Sequence, residues 1–174
     1  SEAERSLLEA LVAHLSAAME NLRLDGLAKE AAVSQERNLL ARAIEDLAPR
    51  LEQQQVRIEL EAEAGASLRG NAFLLRQAIA NLLDNALEFS PVGGVVQVRL
   101  WREGERWRLR IADQGPGVPD FALARVFERF YSLPRPGSGE RSSGIGLSFV
   151  REVASLHGGE ARLGFDLLRG RMTV

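Results

Sequence analysis

A chain of 174 residues, 45% hydrophobic and 26% charged, can bury one substantial core and is too short for two full domains. A net charge of −2 gives no electrostatic basis for binding nucleic acid or an anionic membrane, and the lack of cysteine excludes disulfides, thiolate metal sites and a cysteine nucleophile. No apolar run approaches the length of a membrane span, Ser1-Glu2-Ala3-Glu4-Arg5 has no signal-peptide character, and a start without methionine points to an excised segment.

In chain order, Leu8, Leu11, Leu15, Ala18 and Leu22 recur at alternating spacings of three and four within residues 1–30. This is either a short heptad seam that pairs with another helix or an ordinary amphipathic helix packed on its own domain. Asp25-Gly26 offers a break. A second helix is expected from about Gln35 to Leu51, with Leu40, Ala43, Ile44 and Leu47 on one face and Pro49 near its end. Val56, Ile58 and Leu60 alternate with Arg57, Glu59 and Glu61 as in a half-buried strand. Gly65 to Gly70 reads as a turn, Ala72 to Phe89 as a helix, and Ser90-Pro91 with Gly93-Gly94 as the next break.

Val96, Val98 and Leu100 then share one strand face, and Trp107, Leu109 and Ile111 share a face of the next, opposite Arg106, Arg108 and Arg110. Glu103-Gly104-Glu105 suits the hairpin turn between them. From Asp113 to Ser143 the chain is rich in glycine and proline, with a short helical piece near Phe121 to Phe130. Gly144 opens a helix to about Leu156, which His157-Gly158-Gly159 ends. Short strands around Ala161–Leu163 and Arg171–Val174 follow. The expected class is α+β, a mixed and mostly antiparallel sheet with helices over one face, preceded by a helical segment.

The chemistry-bearing residues fall in four places. On the 72–89 helix, a turn of 100° per residue gathers Gln77, Asn81, Asp84, Asn85 and Glu88 into one polar stripe opposite Leu75, Ile79, Leu82, Leu83 and Ala86. Asparagine is a poor helix former, so the stripe is either a solvated face or a set of amides held to present carbonyl oxygens to a hard cation. Asp113 has the parity of Trp107, Leu109 and Ile111 and points inward, either to cap the following turn or to accept a hydrogen bond from a ligand amino group. Gly115-Pro116-Gly117 lets something approach the backbone closely.

Ser142-Ser143-Gly144-Ile145-Gly146-Leu147 begins a helix, where free amides and the dipole favour phosphate; it is neither a P-loop nor a dinucleotide fingerprint. The fourth place is Pro134 to Arg141, expected to be a mobile loop whose base Phe127, Phe130 and Tyr131 anchor by packing. Arg129, Arg135 and Arg141 are either solvated there or available to polyphosphate.

The order of these elements is more specific than any one of them. Asn81-Leu-Leu-Asp-Asn85-Ala-Leu-Glu-Phe89-Ser-Pro resembles the N box of the GHKL ATPase superfamily, Asp113-Gln-Gly115-Pro-Gly117 its G1 box, Phe127-Glu-Arg-Phe130 its F box and Ser143-Gly144-Ile-Gly146-Leu147 its G2 box. Within it the chain resembles the catalytic domain of sensor histidine kinases, and Val126 to Phe149 resembles CreC-type kinases in particular.

The resemblance implies a Bergerat-type two-layer α/β sandwich that binds ATP and Mg2+ beneath a lid. It implies that Asn85 coordinates magnesium with Asn81 nearby, that Phe89 lies against adenine and Asp113 accepts from its amino group, and that Gly115 and Gly117 allow the approach. Ser143, Gly144, Gly146 and Leu147 then give backbone amides to phosphate, and Arg129 and Arg141 stabilise charge during transfer. Its partners would be the phosphoacceptor dimerisation domain of the same kinase, as a homodimer, and a response regulator receiver domain, with no nucleic acid. The domain would be cytoplasmic in a protein of the bacterial inner membrane.

Two positions depart from the pattern: Glu88, where many members carry lysine, and Ser142, where glycine is usual. Both keep open a degenerate nucleotide-binding or protein-interaction module without kinase activity. Asn81 occupies the position where the hydrolytic branches carry a general-base glutamate, and an amide cannot take a proton from water at neutral pH. The helical lead argues against the serine kinases of the anti-sigma type. Neither His14 nor His157 has the acidic residue and proline that follow the family's acceptor, so the acceptor is expected outside this chain. Residues 1–30 resemble the tail of a dimerisation helix, and residues 31–174 the ATP-binding domain.

Overall fold

A computed structural model describes residues 39–166 and 171–173. The expected heptad segment of residues 1–30, His14 and the first turn of the second helix lie outside them.

Helix α1 (Leu39–Gln54) buries Leu40, Ala43 and Leu47, one face at spacings of three and four. It runs past Pro49 to Gln54, three residues beyond the sequence expectation. Pro49 is exposed, so the carbonyl it leaves without an amide partner can be met by water. The helix stops where Gln55 turns to φ 55° and the amides of Gln55 and Val56 reach back to the carbonyls of Glu52 and Leu51, at 3.1 and 3.0 Å. This is a Schellman ending with glutamine in the usual glycine position.

Strands β1 (Arg57–Ala62), β2 (Val95–Glu103), β3 (Arg106–Asp113), β4 (Gly164–Asp166) and β5 (Arg171–Thr173) form one sheet in the order β1-β2-β3-β5-β4. The β1–β2 pair is parallel and the other pairs are antiparallel. A parallel pair needs a crossover, and helix α2 (Ala72–Phe89) supplies it. Ile58 stands beside Val96, Leu60 beside Val98, Val98 opposite Ile111 and Leu100 opposite Leu109. The apolar sets of the strands therefore share one face. The other face is polar, with Arg99 reaching Glu61 at 3.4 Å and Gln97 donating to Glu59 at 2.9 Å.

Two strand expectations are corrected. β1 is an edge strand that is exposed along most of its length, with Leu60 48% exposed, because alternation in sequence does not reveal whether anything covers the strand. The strand expected at Ala161–Leu163 begins at Gly164, where the pairing with β5 starts.

Helix α2 packs against α1, against α4 (Gly146–Leu156) and over β3. Its bounds are those read from the sequence, but the buried face is Leu74, Ala78, Leu82, Leu83, Ala86 and Leu87, while Leu75 and Ile79 are half-buried. The Asn71 side chain caps it by accepting from the Leu74 amide at 3.1 Å. The Asn71 amide itself donates to His157 Nε2 at 3.1 Å, while His157 Nδ1 meets the Val153 carbonyl at 2.7 Å. One imidazole thus ties the end of α4 to the start of α2. The ring lies over Gly70, where an added Cβ would come within 2.2 Å of it.

The helical piece expected at Phe121 to Phe130 is shorter. Only Asp120–Leu123 is helical (α3), followed by turns in which the Arg125 and Glu128 amides bond the residues three earlier. Phe130 takes φ 65° and is 50% exposed, so it does not anchor the loop by burial; Val126 and Ala122 are buried instead. Tyr131 lies under the Arg125 guanidinium, 4.4 Å from ring centre to Cζ. Gly70→Ala should destabilise the domain by about 1–3 kcal/mol. Equilibrium urea unfolding should show that loss, and His157→Ala added to it should recover part of the methyl clash.

Candidate functional site

The second half of α2, the end of β3 with its glycine loop, the segment after α3 and the start of α4 enclose a cleft. It has two adjoining hollows, which share Asn85, Phe89, Val118 and Leu147 as walls. The inner hollow is apolar, with Leu82, Ala86 and Ile111 around one carboxylate, Asp113, and with Gly117 at its rim. The outer hollow runs between Tyr131, Ser132 and Leu133 on one side and Ser142, Gly144 and Gly146 on the other.

Strand parity turns Asp113 inward, where it is only 6% exposed. Its Oδ1 accepts from the Gly115 amide at 2.7 Å, which fixes the carboxylate. Burial raises its pKa from an ordinary 3.8 to about 6, and the hydrogen bonds to the charged form offset only part of that rise. Glycine at 115 is required, because a Cβ there would lie 2.5 Å from the Phe89 carbonyl oxygen and 2.7 Å from Asp113 Oδ1.

At the other end, Gly144 takes φ 69° and accepts the Phe130 amide at 2.9 Å; a Cβ there would strike the backbone of Phe130 and Tyr131 at 2.5 to 2.7 Å. Helix α4 then begins without any side-chain cap. Its first amides, at the positive end of the dipole, have no side-chain partner, and its first two residues, Gly146 and Leu147, line the outer hollow. Gly146 differs from Gly144, because a Cβ there would meet nothing closer than Asn81, at 3.8 Å. Nothing in the described protein requires a glycine at that position.

Asn85, Phe89, Asp113, Gly117, Gly144, Gly146 and Leu147 of the sequence candidates are brought together as cleft walls. Asn81 is not a wall. It accepts from Gln77 at 3.2 Å and donates to the Gly146 carbonyl at 3.5 Å, so it joins α2 to the start of α4. Gly115 acts behind the wall, on Asp113. Ser143 is exposed, and Ser142 lines the outer hollow. Arg129 and Arg141 are exposed, Arg141 donating to the Ser132 carbonyl at 3.5 Å. Val118, Val126 and Leu133 line the cleft and carried no sequence signal, being ordinary apolar residues whose nearness only the fold creates.

Much of the polar stripe of α2 is paired rather than merely solvated. Asp84 pairs with Arg50 of α1. Glu88 is 17% exposed and bonds Arg135 at 2.7 Å. Burial raises the Glu88 carboxyl above its ordinary value; the Arg135 and Arg50 charges act against that rise, and Asp84 adds to it. The loop expected from Pro134 to Arg141 carries one bridge, between Pro134 and Arg141, and its Arg135 meets α2 rather than lying free.

The family model of histidine kinase-, DNA gyrase B-, and HSP90-like ATPases matches residues 70–172, which include every wall of this cleft. The chain belongs to this family. Membership makes ATP the expected ligand of the domain. Sensor protein CreC of Escherichia coli K12 is 52% identical over 90 residues, 52% of this chain and 19% of CreC. Sensor protein QseC of the same organism is 38% identical over 128 residues, 73% of this chain and 27% of QseC. The chain thus spans a minor part of the relatives it matches.

Among solved structures, a mycobacterial sensor histidine kinase MprB aligns at TM-score 0.67 and 32% identity, over 78% of this chain and 87% of that one. The catalytic domain of histidine kinase ThkA aligns at 0.71 over 83% and 92%, and at 16% identity it speaks for the fold alone. This ATPase-family domain is therefore homologous to sensor histidine kinases and has their α/β catalytic fold.

Because native Asp113 holds its proton more tightly than an unfolded aspartate, stability should fall as pH rises from about 3.8 to about 6 and stay lower above that. Asp113→Asn should stabilise the nucleotide-free domain at pH 7 by up to about 3 kcal/mol, and the gain should vanish below the unfolded pKa. Urea unfolding of both proteins across that range measures it.

Proposed function

We propose that residues 31–174 are the ATP-binding catalytic domain of a sensor histidine kinase, which transfers the γ-phosphoryl group of Mg-ATP to a histidine outside this chain for relay to a response regulator aspartate. The carrying observation is a single cleft with a buried carboxylate at its apolar end and an uncapped helix N-terminus at its polar end. That polarity suits a planar base with an amino group at one end and phosphates at the other.

In this reading Asp113 accepts a hydrogen bond from the adenine amino group, Phe89 is a wall for the ring, and Gly115 and Gly117 let the base approach the backbone. The amides of Ser143, Gly144, Gly146 and Leu147 receive phosphate oxygens. Asn85 is a wall of both hollows, and its amide carbonyl is a suitable ligand for Mg2+. Such an ion would neutralise phosphate charge, and Arg129 and Arg141 would contribute to the same end from the loop side.

Water is a poor candidate for the acceptor of the phosphoryl group. Asn81 stands where a base would be needed, and its amide is committed to Gln77 and Gly146. His157 is no better, since both its ring nitrogens are engaged in joining α4 to α2. The acceptor histidine would belong to a dimerisation domain of the same protein, of which residues 1–30 are the tail, and the intact kinase would act as a homodimer. No helix among the described residues is long and apolar enough to cross a membrane. The domain would lie on the cytoplasmic side of a protein anchored in the bacterial inner membrane.

Calorimetry with a non-hydrolysable ATP analogue tests this reading. Binding should require magnesium, and Asn85→Ala should remove that requirement together with most of the affinity. Gly146→Ala has room for its methyl, so it should fold normally while losing about tenfold in affinity as it crowds the phosphate end. Magnesium-independent binding, or full affinity in Gly146→Ala, would contradict the assignment of the outer hollow to phosphate.

A further inference from the structure

The segment after Phe130 makes one wall of the outer hollow through Tyr131, Ser132 and Leu133. Beyond that wall the chain folds back on itself. Pro134 bridges Arg141, the Arg135 amide donates to the Glu140 carbonyl at 2.7 Å, and Gly137 and Gly139 turn at φ 88° and 69°. Such a small hairpin has no core of its own, so its position depends on what holds it across the gap. Arg135 Nη2 reaches Glu88 Oε1 on α2 at 2.7 Å. Glu88 sits one turn after Asn85 and directly before Phe89, both of them cleft walls. Arg50, the other guanidinium acting on Glu88, is itself paired with Asp84.

Resting on the nucleotide reading above, we propose that Glu88 is a positioning residue: through Arg135 it holds the 131–141 segment against α2 in the nucleotide-free protein, so the outer wall of the cleft is formed before the ligand arrives.

The opposing contributions make this a latch that can open. The pair is largely shielded, with side-chain exposures of 33% for Arg135 and 17% for Glu88, so its attraction is stronger than between solvated charges. Against it stand the desolvation of Glu88, which its arginine neighbours do not fully offset, and the Arg135 Nε, which is buried without a hydrogen-bond partner. Both costs lower the net gain of closing, so the pair can part when the ligand must enter or leave. The sequence places the two charges 47 residues apart, and the fold brings them into one bond.

The test uses this 174-residue chain with Glu88→Gln, Arg135→Gln and the swap Glu88→Arg with Arg135→Glu. Amide hydrogen exchange at Arg135 and Gly139, without nucleotide, reads the latch directly. Each single variant should exchange about fivefold faster than the parent, and the swap should return toward it. Release of trinitrophenyl-ATP, followed by stopped flow, should accelerate by a similar factor in the single variants and slow again in the swap. Unchanged exchange in both single variants overturns the latch. Faster exchange with unchanged release overturns its role in shaping the cleft. If the parent does not bind the probe, the nucleotide reading fails, and the exchange comparison alone decides for or against the latch.

Discussion

A helix packed between two others and a sheet has little surface left for polar side chains, yet α2 carries Asn81, Asp84, Asn85 and Glu88 along one stripe. Each of these needs a partner or a ligand, since a half-buried amide or carboxylate left alone is costly. The structure supplies a different solution at each turn. Asn81 bonds Gln77 and the first carbonyl of α4, Asp84 pairs with α1 through Arg50, and Glu88 pairs with the loop through Arg135. Asn85 faces the cleft. Three of these contacts fasten neighbouring segments to α2, and the fourth residue lines both hollows of the cleft. The arrangement of the polar stripe therefore also positions the walls of the cleft.

At the far end of the cleft the constraint is electrostatic rather than architectural. Asp113 is buried among Leu82, Ala86 and Ile111 at a cost visible in its raised pKa, and a neutral residue would serve the fold better. Retaining a carboxylate there sacrifices stability for an acceptor in an apolar recess, a trade expected of a binding residue. The glycines divide along the same line. Gly115 and Gly144 are held to glycine by atoms closer than 3 Å, whereas a methyl at Gly146 would make only ordinary contact with Asn81, at 3.8 Å.

Much of this was legible in the sequence where residue types stood out from their surroundings. Asn85 within an apolar helix pattern, an aspartate with the parity of a buried strand face and a glycine-rich helix start are brought together as walls of one cleft, although Asn81 is not, and the 100° pattern between two breaks gave the bounds of α2. What depended on a single long-range contact was not legible. The 134–141 stretch reads as a loop because its glycines and prolines pack poorly, and nothing in it reveals that Arg135 meets Glu88 or that Pro134 bridges Arg141. β1 alternates as a half-covered strand does, but its position at the sheet edge leaves Leu60 in solvent. Phe130 was expected to pack as aromatics do, and its positive φ carries it outward as the chain turns toward Gly144.

If one cleft takes base and phosphates at opposite ends, amide chemical shifts read both ends at once. Titrating the nitrogen-labelled chain with a non-hydrolysable ATP analogue and magnesium should move the amides of Gly115, Gly117 and Val118 together with those of Gly144 to Leu147, while the polar face of β2, around Gln97 and Arg99, stays in place. Shifts confined to that solvent face, or none at millimolar nucleotide, would contradict the account.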